Sequence, residues 1–115
     1  MISIIVPIYN GEQYIEECIQ SVLQQDSPEW ELLLVNDGSI DNTECICRKY
    51  LVDSRIKYYW KKNSGVQDSR WLGIENSSAP YITFLDADDL LHPSAIRILN
   101  MYIKDDIDIV SFQFQ

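Results

Sequence analysis

Tyr81–Pro93 reads YITFLDADDLLHP. An apolar run, Tyr81 to Leu85, ends abruptly in Asp86, Asp88 and Asp89, with small Ala87 as the spacer. The run has the length and composition of a buried strand, and Pro93 suits the first turn of a helix, which Ser94, Ala95, Ile96, Ile98, Leu99, Met101 and Tyr102 continue. Strand, acidic loop and helix in succession describe one unit of an alternating α/β chain. A strand that ends in clustered carboxylates either faces something cationic or turns in solvent. Oxygen ligands at such an end suit a hard divalent cation, Mg²⁺ or Mn²⁺. A lone Asp-x-Asp more often caps a helix or solvates a turn, so the rest of the chain has to decide.

The same alternation extends outward in both directions. Ile2–Ile8, ISIIVPI, is a β-branched run that predicts a strand buried on both faces. Asn10-Gly11 breaks it, and EQYIEECIQSVLQQ then sets Tyr14, Ile15, Cys18, Ile19, Val22 and Leu23 along one helical face. ELLLV, from Glu31, predicts a second strand, followed by a turn at Asn36-Asp37-Gly38-Ser39 and a helix capped by Asp41 that runs to about Asp53. RIKYYW, from Arg55, predicts a third strand, Asn63-Ser64-Gly65 a loop, and VQDSRWLGIENS a weaker helix. DIDIVSFQF, residues 106–114, reads as a fifth strand.

Strands and helices joined by short loops make a three-layer α/β fold with a mostly parallel sheet. In such sheets ligands bind beyond the carboxyl ends of the strands. Tyr9-Asn10, Asn36 to Ser39, Asn63 to Gly65 and Asp86 to Asp89 stand there, and all these loops are polar. Their convergence on one edge is a stronger signal than any one of them.

The chain has 115 residues, enough for one domain with one core. Its 18 acidic residues against 9 Lys and Arg give a net charge of −9, and no basic cluster offers a phosphate stripe, which argues against nucleic acid as a partner. An anionic small molecule remains compatible if a divalent cation bridges it to carboxylates. Cys18, Cys45 and Cys47 are odd in number and lack the spacing of a redox or zinc pair, so they read as reduced, structural thiols. No apolar run approaches the ~20 residues that span a bilayer. A cytoplasmic location, with room for peripheral attachment at the inner face of a membrane, is the expectation.

Taken together, these strings resemble the family 2 glycosyltransferases, enzymes of the nucleotide-sugar-binding (GT-A-type, Rossmann-like) fold with a D-x-D motif. SIIVPIYNGEQYIEECIQSVLQQ resembles the family's opening strand and helix, and ELLLVNDGSIDNT its D-D-G-S-x-D motif with Asn36 for the first acid. RIKYYWKKNSGV resembles its N-x-G loop, and YITFLDADDLLHP its D-x-D segment almost letter for letter. The resemblance implies strand order 3-2-1-4. It implies Pro7 and Tyr9 at the base end of a donor pocket and Asp37 as the acid that recognises the nucleobase. Asp86 would face ribose or sugar, Asp88 would hold Mn²⁺ or Mg²⁺ on the diphosphate, and Arg70 matches the Arg of the A-R-N-x-G-I segment. Trp71 stands where that segment has Asn, and its indole is expected to narrow the pocket.

The activity so implied is transfer of a sugar from a nucleotide-diphosphate donor, a UDP-sugar before others, to a glycan or lipid-linked acceptor hydroxyl. It would proceed with inversion and serve glycan or polysaccharide synthesis. The family's acceptor site and base lie in a second half, so residues 1–115 read as the donor half, with the base expected beyond Gln115. The alternative is a non-catalytic nucleotide-binding module left by loss of that half. An unpaired sheet edge would favour a homodimer.

Overall fold

The computed structural model describes residues 1–104; the strand read over residues 106–114 lies outside them. The chain alternates as β1 (Ile2–Ile8), α1 (Ile15–Leu23), β2 (Trp30–Asp37), α2 (Thr43–Lys49), β3 (Ile56–Lys61), α3 (Val66–Asn76), β4 (Tyr81–Phe84) and α4 (Ala95–Lys104). A single 3-10 turn, Tyr50–Val52, follows α2. The strands form one sheet in the order β3-β2-β1-β4, and every pairing is parallel. The fold class and strand order expected from the sequence are the ones observed.

Period-two alternation divides the sheet into two faces. Ile4, Val6 and Ile8 of β1 and Leu32 and Leu34 of β2 join the main core with Ile15, Cys18 and Ile19 of α1, Cys47 of α2 and Ile96 of α4. Ile5, Leu33 and Val35 point the other way and pack with Tyr59 of β3 and Leu72 and Ile74 of α3. Both faces of β1 and β2 are therefore covered, which explains why these strands are continuously apolar. Helix α3 is less amphipathic than α1 because it needs only a narrow seam. It approaches closely where Gly73 meets β1: a Cβ there would come within 2.5 Å of Ile5 Cγ2.

The sequence suggested that β4 is buried, and the structure corrects this. Tyr81, Ile82 and Phe84 are exposed, because this short strand pairs with β1 alone among the described residues.

Helix boundaries differ by small amounts. Asp41 precedes α2 instead of capping it directly; its Oδ1 accepts from Thr43 N at 3.0 Å and from Thr43 Oγ1 at 2.5 Å. Pro93 lies in the turn before α4, where Ala95 N donates to His92 O at 2.9 Å.

Candidate functional site

The carboxyl ends of β1 and β2 are locked together by their loops. Asn10, the last polar residue of the β1 loop to precede Gly11, has φ 51°. Asn tolerates this left-handed region better than most residues. Its N donates to Ser39 Oγ at 2.8 Å, and its Oδ1 accepts from Ile40 N at 2.9 Å. Gly11 N donates to Thr43 Oγ1 at 2.9 Å, and Glu12 N to Asp41 Oδ2 at 3.1 Å. Ser39 and Asp41 of the GSxD string are thus braces between two loops.

Asp37 closes β2 on the α3 side of the sheet, in the alternation that places Leu33 and Val35 there. Its carboxylate is buried. Oδ1 accepts from Lys61 Nζ and from Ser64 N at 2.9 Å; Oδ2 accepts from Gly65 N at 3.0 Å. Asn63 Nδ2 donates to the Asp37 carbonyl at 3.1 Å. Burial pushes the Asp37 carboxyl up, but Lys61 and the two backbone N–H groups outweigh it and hold the group below the usual carboxylate range. A carboxylate has about four lone-pair sites. Three are taken, so Asp37 can accept one more N–H or O–H, on Oδ2.

Beside it lies a cavity of about 320 Å³, lined by Pro7, Ile8, Tyr9, Asp37, Asn63, Gly65, Val66 and Ser69. The structure therefore brings together Pro7, Tyr9 and Asp37, as the sequence suggested, and adds the Asn63–Gly65 loop as a wall. Asn36, which replaces an acid of the family motif, faces away from it: its Nδ2 donates to Tyr58 OH at 2.9 Å and its Oδ1 accepts from Ser39 N at 3.1 Å. A neutral amide satisfies both neighbours in this fully buried place without burying a second charge beside Asp37. Trp71 is 62% exposed and is not among the residues lining the cavity, so its indole does not narrow this cavity.

Arg70 is not a lining residue either. Its guanidinium lies over the Phe84 ring, 5.3 Å from the centroid, and its Nε is buried with no hydrogen-bond partner among the described residues. The ordinary alternative, a salt bridge to Asp68 or Glu75, does not form among these residues. Arg70 thus keeps an unspent donor at the β4 side of the sheet.

The acidic loop continues from β4. Leu85 N donates to Ile5 O at 3.0 Å, and buried Leu85 and Ala87 alternate with exposed Asp86 and Asp88. The apolar pair anchors the loop while the acids face out. Helix α1 holds it from below: Cys18 Sγ donates to Asp86 O at 3.8 Å, and Leu91 N donates to Ser21 Oγ at 2.9 Å. One carboxylate oxygen from each of Asp86, Asp88 and Asp89 lies within 4.8 Å of the others. Oxygen ligands about 2.1 Å from Mg²⁺ stand roughly 3–4 Å apart, so this donor set fits a hard divalent cation with little movement. Asp89, which the sequence reading left outside the metal site, belongs to the cluster. His92 does not: its Nδ1 accepts from Ser94 N at 3.1 Å, ahead of α4.

Sequence reasoning missed Lys61. It pairs in register with Asp37 across β2 and β3, and both side chains fall on the α3 face. The signal was present in the alternation of Lys57, Tyr59 and Lys61, but only the register assigns Lys61 its acid.

A parallel α/β sheet with a cavity at the ends of its inner strands and a carboxylate cluster at the next strand end is an α/β domain of the GT-A type. The profile of Glycosyl transferase family 2 matches residues 3–115, and the chain belongs to that family. It is 42% identical over 107 residues to a protein of Rickettsia conorii named as an uncharacterized glycosyltransferase, covering 90% of this chain and 17% of that one. It is 37% identical over 99 residues to glycosyltransferase GlyA of Streptococcus pneumoniae, covering 85% of this chain and 14% of GlyA. The crystal structure of residues 1–349 of S. aureus TarS in complex with UDP-GlcNAc superposes with a TM-score of 0.86 at 31% identity, over 90% of this chain and 31% of that one. The chain thus spans well under half the length of each of these proteins.

Proposed function

We propose that this chain forms the donor-binding part of an enzyme that transfers a sugar from a nucleotide diphosphate sugar to an acceptor hydroxyl. The observation that carries the reading is the cavity walled by Pro7, Tyr9 and Asp37 one strand away from the Asp86–Asp88–Asp89 cluster. The solved complexes of TarS with UDP and with UDP-GlcNAc support a UDP-sugar as the donor.

In this reading the nucleobase enters the cavity against Pro7 and Tyr9. It donates a ring N–H to the free lone pair of Asp37 Oδ2, and the loop clamp keeps that acceptor in place before the ligand arrives. Charge-assisted hydrogen bonds of this kind are among the stronger ones. Asp88, with Asp86 and Asp89, would hold Mn²⁺ or Mg²⁺, which supplies positive charge to a diphosphate leaving group. Arg70, whose guanidinium lies over Phe84 two residues before Asp86, would offer its charge to the same anion. Asp86 would face ribose or sugar.

Inversion at the sugar carbon needs a base on the acceptor. The proposal places that base, and the acceptor site for a glycan or lipid-linked substrate, in the part of the relatives that has no counterpart in these residues. Glycan or polysaccharide synthesis in the cytoplasm, at the inner face of a membrane, is the role proposed with it. No helix of the described residues is long and apolar enough to cross a membrane.

Calorimetric titration with UDP tests the reading. The protein should bind UDP, and Asp37→Ala should weaken binding by about 1–3 kcal/mol, the range for a lost hydrogen bond to a charged group, while leaving Mn²⁺ affinity nearly unchanged. Equal losses of both would assign Asp37 to the metal or to the turn, and no UDP binding at all would contradict the proposal.

A further inference from the structure

We propose that Lys61 is a positioning residue for the base site: it sets the Asp37 carboxylate and the Asn63–Gly65 wall and itself binds no ligand. This rests on the reading of the cavity as a nucleobase site.

An ammonium at the edge of such a site invites a different role, that of a phosphate ligand. The geometry argues against it. Lys has three N–H donors, and Lys61 directs them at Asp37 Oδ1, at Ser64 Oγ (2.5 Å) and at Lys62 O (3.3 Å). All are spent within the protein. The side chain is 15% exposed and that of Asp37 7%, so the pair is withdrawn from solvent, and Lys61 is not among the cavity's lining residues. Arg70 shows the opposite arrangement, a buried Nε–H without a partner among the described residues.

What Lys61 does hold is informative. It joins two segments far apart in sequence: Asp37 at the end of β2, and Ser64 in the loop after β3 that supplies Asn63 and Gly65 to the cavity wall. Ser64 N donates to the same Asp37 oxygen. Lys61, Ser64 and Asp37 Oδ1 therefore form a closed triangle, and it consumes Oδ1. The consequence is that Oδ2 alone faces a ligand, with one acceptor position. Without the ammonium, a carboxylate buried in this way would lose its charged partner. It would then turn toward water or take up a proton, and the oxygen presented to the cavity would no longer be fixed.

The companion pair on the same face supports a designed use of the register. Lys57 Nζ lies 3.6 Å from Glu31 Oε1 at the other end of β2 and β3, but its side chain is 40% exposed. The pair at the cavity end is the one that is buried.

The test compares Lys61→Met, Lys61→Arg and the unaltered protein, with UDP by calorimetry and with Mn²⁺ alone by electron paramagnetic resonance. Lys61→Met should lose about tenfold or more in UDP affinity, in keeping with a charge-assisted contact, at unchanged Mn²⁺ affinity. Lys61→Arg, which keeps the charge and donors, should recover most of it. A merely structural lysine would lower both affinities together, and that result overturns the proposal, as does UDP binding untouched by Lys61→Met. Should Lys61→Met not fold, Lys61→Gln carries the same expectation and the same two contrary outcomes. Failure of the unaltered protein to bind UDP contradicts the functional reading instead, and is distinct from a variant that binds as well as its parent.

Discussion

Gly38 and Asn63 touch across two strand ends: a Cβ at position 38 would lie 2.6 Å from Asn63 N and 3.1 Å from its Cα. Gly38 also has φ 65°. Both facts follow from one need, since the loop after β3 must close over Asp37 for Ser64 N and Gly65 N to reach its carboxylate. Gly38→Ala should therefore cost stability, roughly 1–2 kcal/mol for the left-handed backbone alone, and push the loop off Asp37. Chemical denaturation measures the first effect. UDP affinity measures the second and should fall by more than the lost stability explains, because the folded fraction stays near one.

Asp37 predicts a direction for the pH dependence of stability. Its folded pKa lies below the ordinary aspartate value, so the unfolded chain binds the proton more readily. The stability it contributes is present above the unfolded value, about 3.9, and is lost as pH falls through the folded one. Asp53, held down by Arg55, and Asp26, held down by Arg97, act in the same sense. Thermal melts should show a stable plateau near neutrality and a decline below about pH 4. Asp37→Asn should be less stable at pH 7 and show a shallower decline. An identical acid limb in both proteins would mean that Lys61 does not hold Asp37 ionised.

The cysteines should divide cleanly. Burial, with Asp89 and Asp88 nearby, pushes the Cys18 thiol up to about 12; burial and Asp41 push Cys47 up to about 12 as well. Cys45 is exposed on α2. The thiolate is the reactive species, so a disulfide-exchange reagent at pH 8 should label one thiol per chain promptly, and Cys45→Ser should abolish that phase. Prompt labelling of Cys18 would show that α1 separates from the acidic loop, since Cys18 Sγ donates to the Asp86 carbonyl.

The sequence carried the layers of the fold because β1 and β2 are buried on both faces, and a buried parallel strand must be apolar throughout. Strand β4 misled for the same reason: YITF is as apolar as a buried strand, yet Tyr81, Ile82 and Phe84 are exposed where, among the described residues, the strand pairs with β1 alone. The acids at the strand ends were legible because charge after an apolar run is conspicuous. Lys61 was not, since a lysine at the end of a strand is commonplace until the register Asp37↔Lys61 sets it against a buried carboxylate. Trp71 looked like an obstruction only because its position in the motif, and not its side of α3, was known. Asp41 read as a helix cap and Ser39 as part of a turn; the hydrogen bonds they accept from Glu12 N and Asn10 N also make them braces between loops.

The central claim is that Asp86, Asp88 and Asp89 hold a divalent cation that brings a nucleoside diphosphate to the cavity beside Asp37. Calorimetry of UDP binding in Mn²⁺ and in EDTA, on the unaltered protein and on Asp88→Asn, tests it most directly. The expected result is UDP binding that weakens sharply in EDTA for the unaltered protein, and weak binding indifferent to Mn²⁺ for Asp88→Asn. UDP binding equally tight in Mn²⁺ and in EDTA would contradict the metal's role at this site.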